Sequence, residues 1–112
     1  MPLSQFTTVQ FLANGKITVG GPFTLTDPEQ DMRVADVHFV LVQGQNVVDG
    51  AGQAEGGPGG TDWDGETSTE AGSFQANQPV QAVGWALLTR SGATSGYQMF
   101  NWADTVELKP AA

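Results

Sequence analysis

The chain has 112 residues, which favours a single domain over residues 1–112, and it contains no cysteine, which excludes disulfides and thiolate metal sites. Its 12 acidic and 4 basic residues give a net charge of −8, so nucleic acid and anionic membrane surfaces are poor partners. One histidine and no recognisable nucleophile motif further predict that the chain is not an enzyme and needs no cofactor.

The opening residues bear on the expected location. They lack the basic and apolar regions of a secretory signal, and no apolar run approaches the ~20 residues that span a bilayer. Unless a signal has been cut away, we expect the chain to lie in the cytoplasm or within an assembled particle.

Two strands are predicted at the N-terminal end. Residues 3–13 are apolar and rich in Thr, but their alternation is imperfect, which predicts a bulge or a change of sheet inside them. Asn14 and Gly15 both tolerate positive φ, so we expect a two-residue type I′ turn leading into a strand over residues 16–26. Pro22 predicts a bend or bulge within that second strand, since proline cannot donate to a ladder.

Residues 34–42 are the longest run of β-branched and aromatic residues, and a turn signal follows them. Side chains alternate across a strand, so each residue can be assigned to one of two faces. One face carries Ala35, Val37, Phe39 and Leu41, and the other carries Val34, Asp36, His38, Val40 and Val42. Because both faces are largely apolar, we expect this segment to be a central strand.

A glycine-rich segment follows the central strand. Residues 46–49 predict a short hairpin partner for it. Residues 50–60 read GAGQAEGGPGG and offer almost no side chain able to pack, so we expect a flexible surface loop. This loop lacks the lysine, the hydroxyl and the following helix of a phosphate-binding P-loop.

Four further strands are predicted over residues 61–67, 71–77, 80–90 and 97–109. In the third of these, alternation puts a tryptophan and two aliphatic side chains on one face, which we assign to the core. The complete predicted core comprises Val37, Phe39, Leu41, Val83, Trp85, Leu87, Phe100 and Trp102.

About seven or eight strands at spacings of roughly 8 to 14 residues are typical of an immunoglobulin-like antiparallel β-sandwich. The disulfide of antibody domains is absent, so only the architecture is predicted. A jelly roll or a small barrel is the alternative.

In such a sandwich, three neighbouring strands carry apolar residues on their outward faces, where polar ones are expected. A contiguous apolar patch marks an interface, and small residues within it let a second sheet approach. The predicted interface residues are His38, Val40, Val42, Ala82, Gly84, Ala86, Leu88, Tyr97 and Met99. We therefore predict a non-catalytic structural or protein-interaction module that self-associates into a homo-oligomer or a larger assembly. A face assignment shifted by one residue would exchange these positions with the core.

A carbohydrate-binding module is the alternative hypothesis. Trp63 and Tyr97 are aromatic residues outside the predicted core and are candidates to stack on sugar rings. Asp62, Asp64 and Glu66 share one face of a predicted strand, and calcium prefers several oxygen ligands, so a weak calcium site is predicted there. The competing interpretation is a solvated strand face opposite a packed Trp63.

Overall fold

A computed structural model describes residues 3–24, 32–55, 62–90 and 97–112 of the chain. Within these ranges the regular elements are all β-strands. The strands are β1 (Leu3–Ser4), β2 (Thr8–Phe11), β3 (Ile17–Thr24), β4 (Met32–Gln43), β5 (Asn46–Glu55), β6 (Asp62–Thr67), β7 (Pro79–Arg90) and β8 (Tyr97–Glu107). In the part of the chain that is described, no helix could span a membrane.

The strands pair antiparallel in one continuous curled sheet, in the order β1-β3-β6-β5-β4-β7-β8, with β2 also paired to β3. The sheet folds over itself, so that aromatic rings from β3 and β6 meet rings from β8 across the interior. The predicted all-β antiparallel sandwich is confirmed, with hydrogen bonding that continues from one layer into the other. The central position predicted for residues 34–42 is also confirmed, because β4 lies between β5 and β7.

Large rings fill the middle of the interior. Trp63 of β6 and Trp102 of β8 meet edge to face, with ring centroids 5.4 Å apart, and Phe6 packs against both. The Trp63 Nε1–H donates to the carbonyl oxygen of Gln5 at 3.2 Å. Because interiors are close-packed, strands that face these rings have room only for small side chains.

The N-terminal strand is split, as its imperfect alternation predicted. β1 and β2 both pair with β3, and Phe6 turns into the core between them. Strand β3 itself runs unbroken through Pro22, so the break predicted there lies in the neighbouring segment instead. The Gln5 backbone approaches Gly21 so closely that a Cβ on this glycine would overlap it.

The turn between β2 and β3 differs from the predicted type I′ turn. Only Gly15 has positive φ there (86°), whereas type I′ needs it at two successive residues. The Gly15 N–H donates to the Leu12 carbonyl oxygen at 3.0 Å, and the Asn14 side chain accepts from the Lys16 N–H at 3.0 Å. This is the pattern of a type I turn followed by a glycine bulge.

Strand β5 continues to Glu55, so the flexible loop predicted for residues 50–60 is wrong over residues 50–55; residues 56–60 lie outside the described ranges. The glycines serve the close approach of two backbones. Gly52 pairs with Gly65 of β6, and a Cβ on Gly65 would lie 2.8 Å from the Gly52 Cα. Scarcity of side chains here indicates tight strand pairing rather than mobility.

The faces predicted for β7 are wrong by one residue. The buried inner face consists of Ala82, Gly84, Ala86 and Leu88, and the outer face carries Val83, Trp85 and Leu87. The reason is volume, because a Cβ on Gly84 would lie 2.7 Å from the ring atoms Cε2 and Cζ2 of Trp102. The rest of the predicted core is confirmed: Val37, Phe39, Leu41 and Trp102 are buried, and Phe100 packs against them partly buried.

Residues 71–77, predicted as a strand, form turns instead. The Phe74 N–H donates to the Ala71 carbonyl oxygen at 3.0 Å. Both side chains are buried although they lie three residues apart, a spacing that a strand would put on opposite faces. The turns let both side chains reach the end of the core.

Beyond β8 the chain draws the two ends of the sheet together. The Lys109 N–H donates to the Val9 carbonyl oxygen at 2.9 Å, and the Phe11 N–H donates to the Lys109 carbonyl oxygen at 3.0 Å. The contact is a parallel bridge between Gln10 and Lys109. Among the described residues, backbone closure of the sheet against the β8 side is confined to this point.

Candidate interaction face

The outer surface of the sheet carries a contiguous apolar area on β4, β7, β8 and the start of β5. Val83, Met99 and Val47 are 42%, 61% and 65% exposed there. We call this area the outward face, and its described members are His38, Val40, Val42, Val47, Val83, Trp85, Leu87, Met99 and Ala103. A contiguous apolar area of this kind is typical of an interaction site, whereas single exposed apolar residues are ordinary.

An aromatic pair lies at the centre of the outward face. His38 of β4 is in register with Trp85 of β7, and the two rings stack with centroids 5.7 Å apart and planes inclined by 20°. Both side chains are half-buried by their neighbours in the sheet. The pair therefore presents a flat surface whose side chains are already restrained by stacking, so they lose little conformational entropy when a partner covers them.

Charge is distributed unevenly over the same side of the sheet. The outward residues of β7 and β8, over residues 81–87 and 99–105, carry no charge. Exposed carboxylates lie instead on β5 and β6, at Asp49, Asp62, Asp64 and Glu66. We call these the uncharged half and the acidic half; Asp36 of β4, also exposed, lies between them.

The structure separates the predicted interface residues into three groups. His38, Val40, Val42 and Met99 lie on the outward face as predicted. The prediction is wrong for four residues that lie in the core, namely Ala82, Gly84, Ala86 and Leu88. The Tyr97 side chain lies outside the described side chains. The part of any of these residues in an interface stays a prediction.

Five members of the outward face were missed as interface residues. Three of them, Val83, Trp85 and Leu87, were assigned to the core by the one-residue error on β7. The other two are Val47 and Ala103, which alternate with the buried residues Val48 and Trp102. Alternation within β5 and β8 was the sequence signal for them.

The weak calcium site predicted at Asp62, Asp64 and Glu66 gains no support from the geometry. The three carboxylates share the exposed face of β6, but alternate residues of a strand lie ~6.6 Å apart. Calcium needs its oxygen ligands within ~2.5 Å of one point. Over the described residues no group of three or more acidic, His or Cys side chains could hold a metal ion. Glu66 lies instead 4.0 Å from the Lys16 Nζ.

The aromatic platform of the carbohydrate hypothesis is wrong for Trp63. This side chain is 1% exposed and packs between Phe6 and Trp102, so no sugar ring can reach it. The competing interpretation, a packed Trp63 opposite a solvated strand face, is the one observed. For Tyr97 the role stays a prediction.

A hollow at one end of the molecule is lined by amide side chains of the β4–β5 hairpin and the following turns. The Gln43 side chain accepts from the Gln75 N–H at 2.7 Å and donates to the Gln75 carbonyl oxygen at 3.0 Å. The Asn46 side chain donates to the Ser73 carbonyl oxygen at 3.3 Å. These amides hold the turns against the hairpin, which is a structural task.

No protein-family model matches the chain, and no curated protein matches it. Among solved structures, murine CRIg is similar over 100% of this chain and 99% of that chain, with a TM-score of 0.47 and 11% sequence identity. The likeness concerns the course of the chain and carries no inference about function.

Proposed function

We propose that the chain is a non-catalytic protein-interaction module that self-associates through its outward face. The supporting observation is the contiguous apolar area around the His38–Trp85 stack, with Val83 and Met99 exposed beside it. Removing apolar surface from water contributes roughly 25 cal/mol per Å². A partner that covers this face removes its apolar surface from water. The isolated chain cannot bury the same surface, because its core lies on the other side of the sheet and is already filled.

The charge distribution favours a second copy in one arrangement. A two-fold axis along β7 places β7 on β7 and β8 on β4 of the other copy, and it leaves both acidic halves at the periphery. A two-fold axis across the strands would instead set the acidic halves against each other, carboxylate facing carboxylate. Charge therefore selects the first arrangement.

The size of the face sets the expected strength of association. Four strands and seven residues along each give a surface roughly 14 Å by 20 Å. This is smaller than the ~800 Å² that each partner contributes to a standard interface. We expect association that depends on concentration, in the micromolar range or weaker.

The test is the mass in solution of Val83→Lys, measured by light scattering over a range of concentrations. Lysine at this position puts a charge at the centre of the contact, so the mass falls relative to the unaltered chain. Gln78→Lys is the matched control, because it makes the same charge change at an exposed site near the end of β7, off the outward face. Equal masses for the two variants would show that the outward face is not the contact.

Salt dependence separates self-association from binding to a basic partner. Two copies with a charge of −8 each repel, so raising the ionic strength from about 0.05 M to 0.5 M strengthens the self-contact. A basic partner would be released over the same range. A fall in mass on addition of salt would contradict the proposal.

A further inference from the structure

The backbone groups of β8 can be assigned to its two sides. The Leu108 N–H donates to the Gln78 carbonyl oxygen at 3.0 Å, on the β7 side, whereas Lys109 bonds on the opposite side, to β2. Backbone groups alternate in direction along an extended strand, and the β7–β8 register is unbroken along the whole of β8. The N–H and C=O groups of the odd-numbered residues of β8 therefore point away from β7.

Three of these residues present an open edge. Met99, Asn101 and Ala103 make no backbone hydrogen bond on that side with any described residue. β1 and β2 pair with β3 instead. Among the described residues, their backbone bonds to the backbone on the β8 side only at Lys109, while the Phe6 N–H donates to the Asp104 side chain at 2.9 Å. The edge thus offers an alternating row of donors and acceptors, which is the template that another strand needs.

The opposite edge of the sheet is protected, and the β8 edge is not. That edge is formed by β1 and β2, which are only two and four residues long and are separated by residues 5–7, and such short edge strands offer little ladder for another chain to extend. Between Met99 and Ala103 there is no proline, no lysine, no charge and no shift of register. Proline, lysine and other charges, and bulges are the features by which proteins keep an edge strand from pairing with another chain, and this stretch has none of them.

The geometry points to a second copy of this chain as the occupant of the β8 edge, paired with it strand to strand and antiparallel. Because the opposite edge consists of the short strands β1 and β2, the long unbroken strand edge that a second copy offers within the described residues is its own β8, so the contact is isologous. A pair centred on Asn101 sets Met99 opposite Ala103 and brings no two charges together.

The edge contact extends the proposed function. Only the inference of an assembly larger than a dimer rests on that function. The outward face and the β8 edge are different surfaces, so one copy can use both at once. Two isologous contacts on one chain produce a closed set of four copies if their axes cross at right angles, and an open filament if the axes do not intersect. Self-association then leads to an assembly larger than a dimer.

The first test compares Ala103→Pro with Ala103→Val in solution by light scattering. Proline removes an N–H that points to the free edge and spares the ladder to β7, whereas valine changes the side chain and keeps the N–H. Both variants alter the outward face at the same residue, so a face contact responds to both. We expect the mass of Ala103→Pro to be at most half that of Ala103→Val, and one half for a closed set of four copies; equal masses overturn the edge contact.

The second test uses hydrogen exchange and does not depend on whether the proline variant folds. In Val83→Lys, with the face contact removed, the amides of Met99 and Asn101 exchange at least ~10-fold more slowly at high protein concentration than at low concentration. Exchange that is independent of concentration overturns edge pairing, whatever Val83→Lys does to the mass. Concentration-dependent protection, with equal masses for Val83→Lys and Gln78→Lys, supports the edge and overturns the face.

Discussion

Trp63 on β6 and Trp85 on β7 have opposite environments within one sheet. Trp63 is 1% exposed, lies edge to face with Phe6 at 5.0 Å and donates its Nε1–H to a backbone carbonyl. Trp85 lies on the outer surface, where its ring stacks on His38. The difference lies in what faces each strand. The interior beside β6 is open to a large ring, while that beside β7 is already occupied by Trp102 over Gly84.

On β7 the usual distribution of side-chain sizes is reversed between the inner and the outer face. Its buried face is made mostly of small residues, and its outer face carries a tryptophan and two branched aliphatics. The two layers fill one interior volume at a fixed packing density. Because the facing strands contribute large rings, little volume is left for the inward side chains of β7. The larger side chains are then left outside, where they form the outward face.

Trp63→Ala is expected to have the largest effect. It removes a fully buried ring from the middle of the aromatic interior and should lower the free energy of unfolding by ~3–5 kcal/mol. Urea titration of the variant against the unaltered chain measures this. A loss below about 1 kcal/mol would contradict the central position of Trp63.

Gly84→Ala tests why β7 turns its small residues inward. The added Cβ would lie 2.7 Å from the Trp102 ring and 3.1 Å from Phe6 Cζ, inside a packed interior. Overpacking should cost ~1–3 kcal/mol in the free energy of unfolding. Gly72→Ala is the matched control, since nothing lies within 4 Å of its Cβ and its φ is not positive. Equal stability of the two variants would remove the volume argument.

Trp85→Ala is expected to have the smallest effect on folding. The side chain is only half-buried and its ring partner is His38, so the free energy of unfolding should fall by about 1 kcal/mol, measured where the chain is monomeric. Its effect should appear in the solution mass instead, which falls as for Val83→Lys. A loss as large as that of Trp63→Ala would show that Trp85 is a core residue and contradict its different environment from Trp63.

The candidate face was predictable in location but not in membership. That β4 has an outward apolar face follows from alternation, because Val37, Phe39 and Leu41 leave the residues between them on the other side. On β7 both faces are apolar, so alternation groups the residues correctly yet cannot say which group is inside. The open β8 edge could not be predicted from the sequence, since it depends on which strand β1 and β2 pair with.

The sequence by itself determined the all-β antiparallel class, the location of most strands and which residues of a strand share a face, because these depend on local preferences and on side chains alternating every second residue. Turns, strand ends and the pairing of the glycines in β5 with Gly65 depended on a second strand. The tertiary structure alone decided which face of β7 is buried and which edge of the sheet is open. The physical reason is that volume and hydrogen-bond partners belong to pairs of segments far apart in the chain, and a single strand carries no record of what will lie against it.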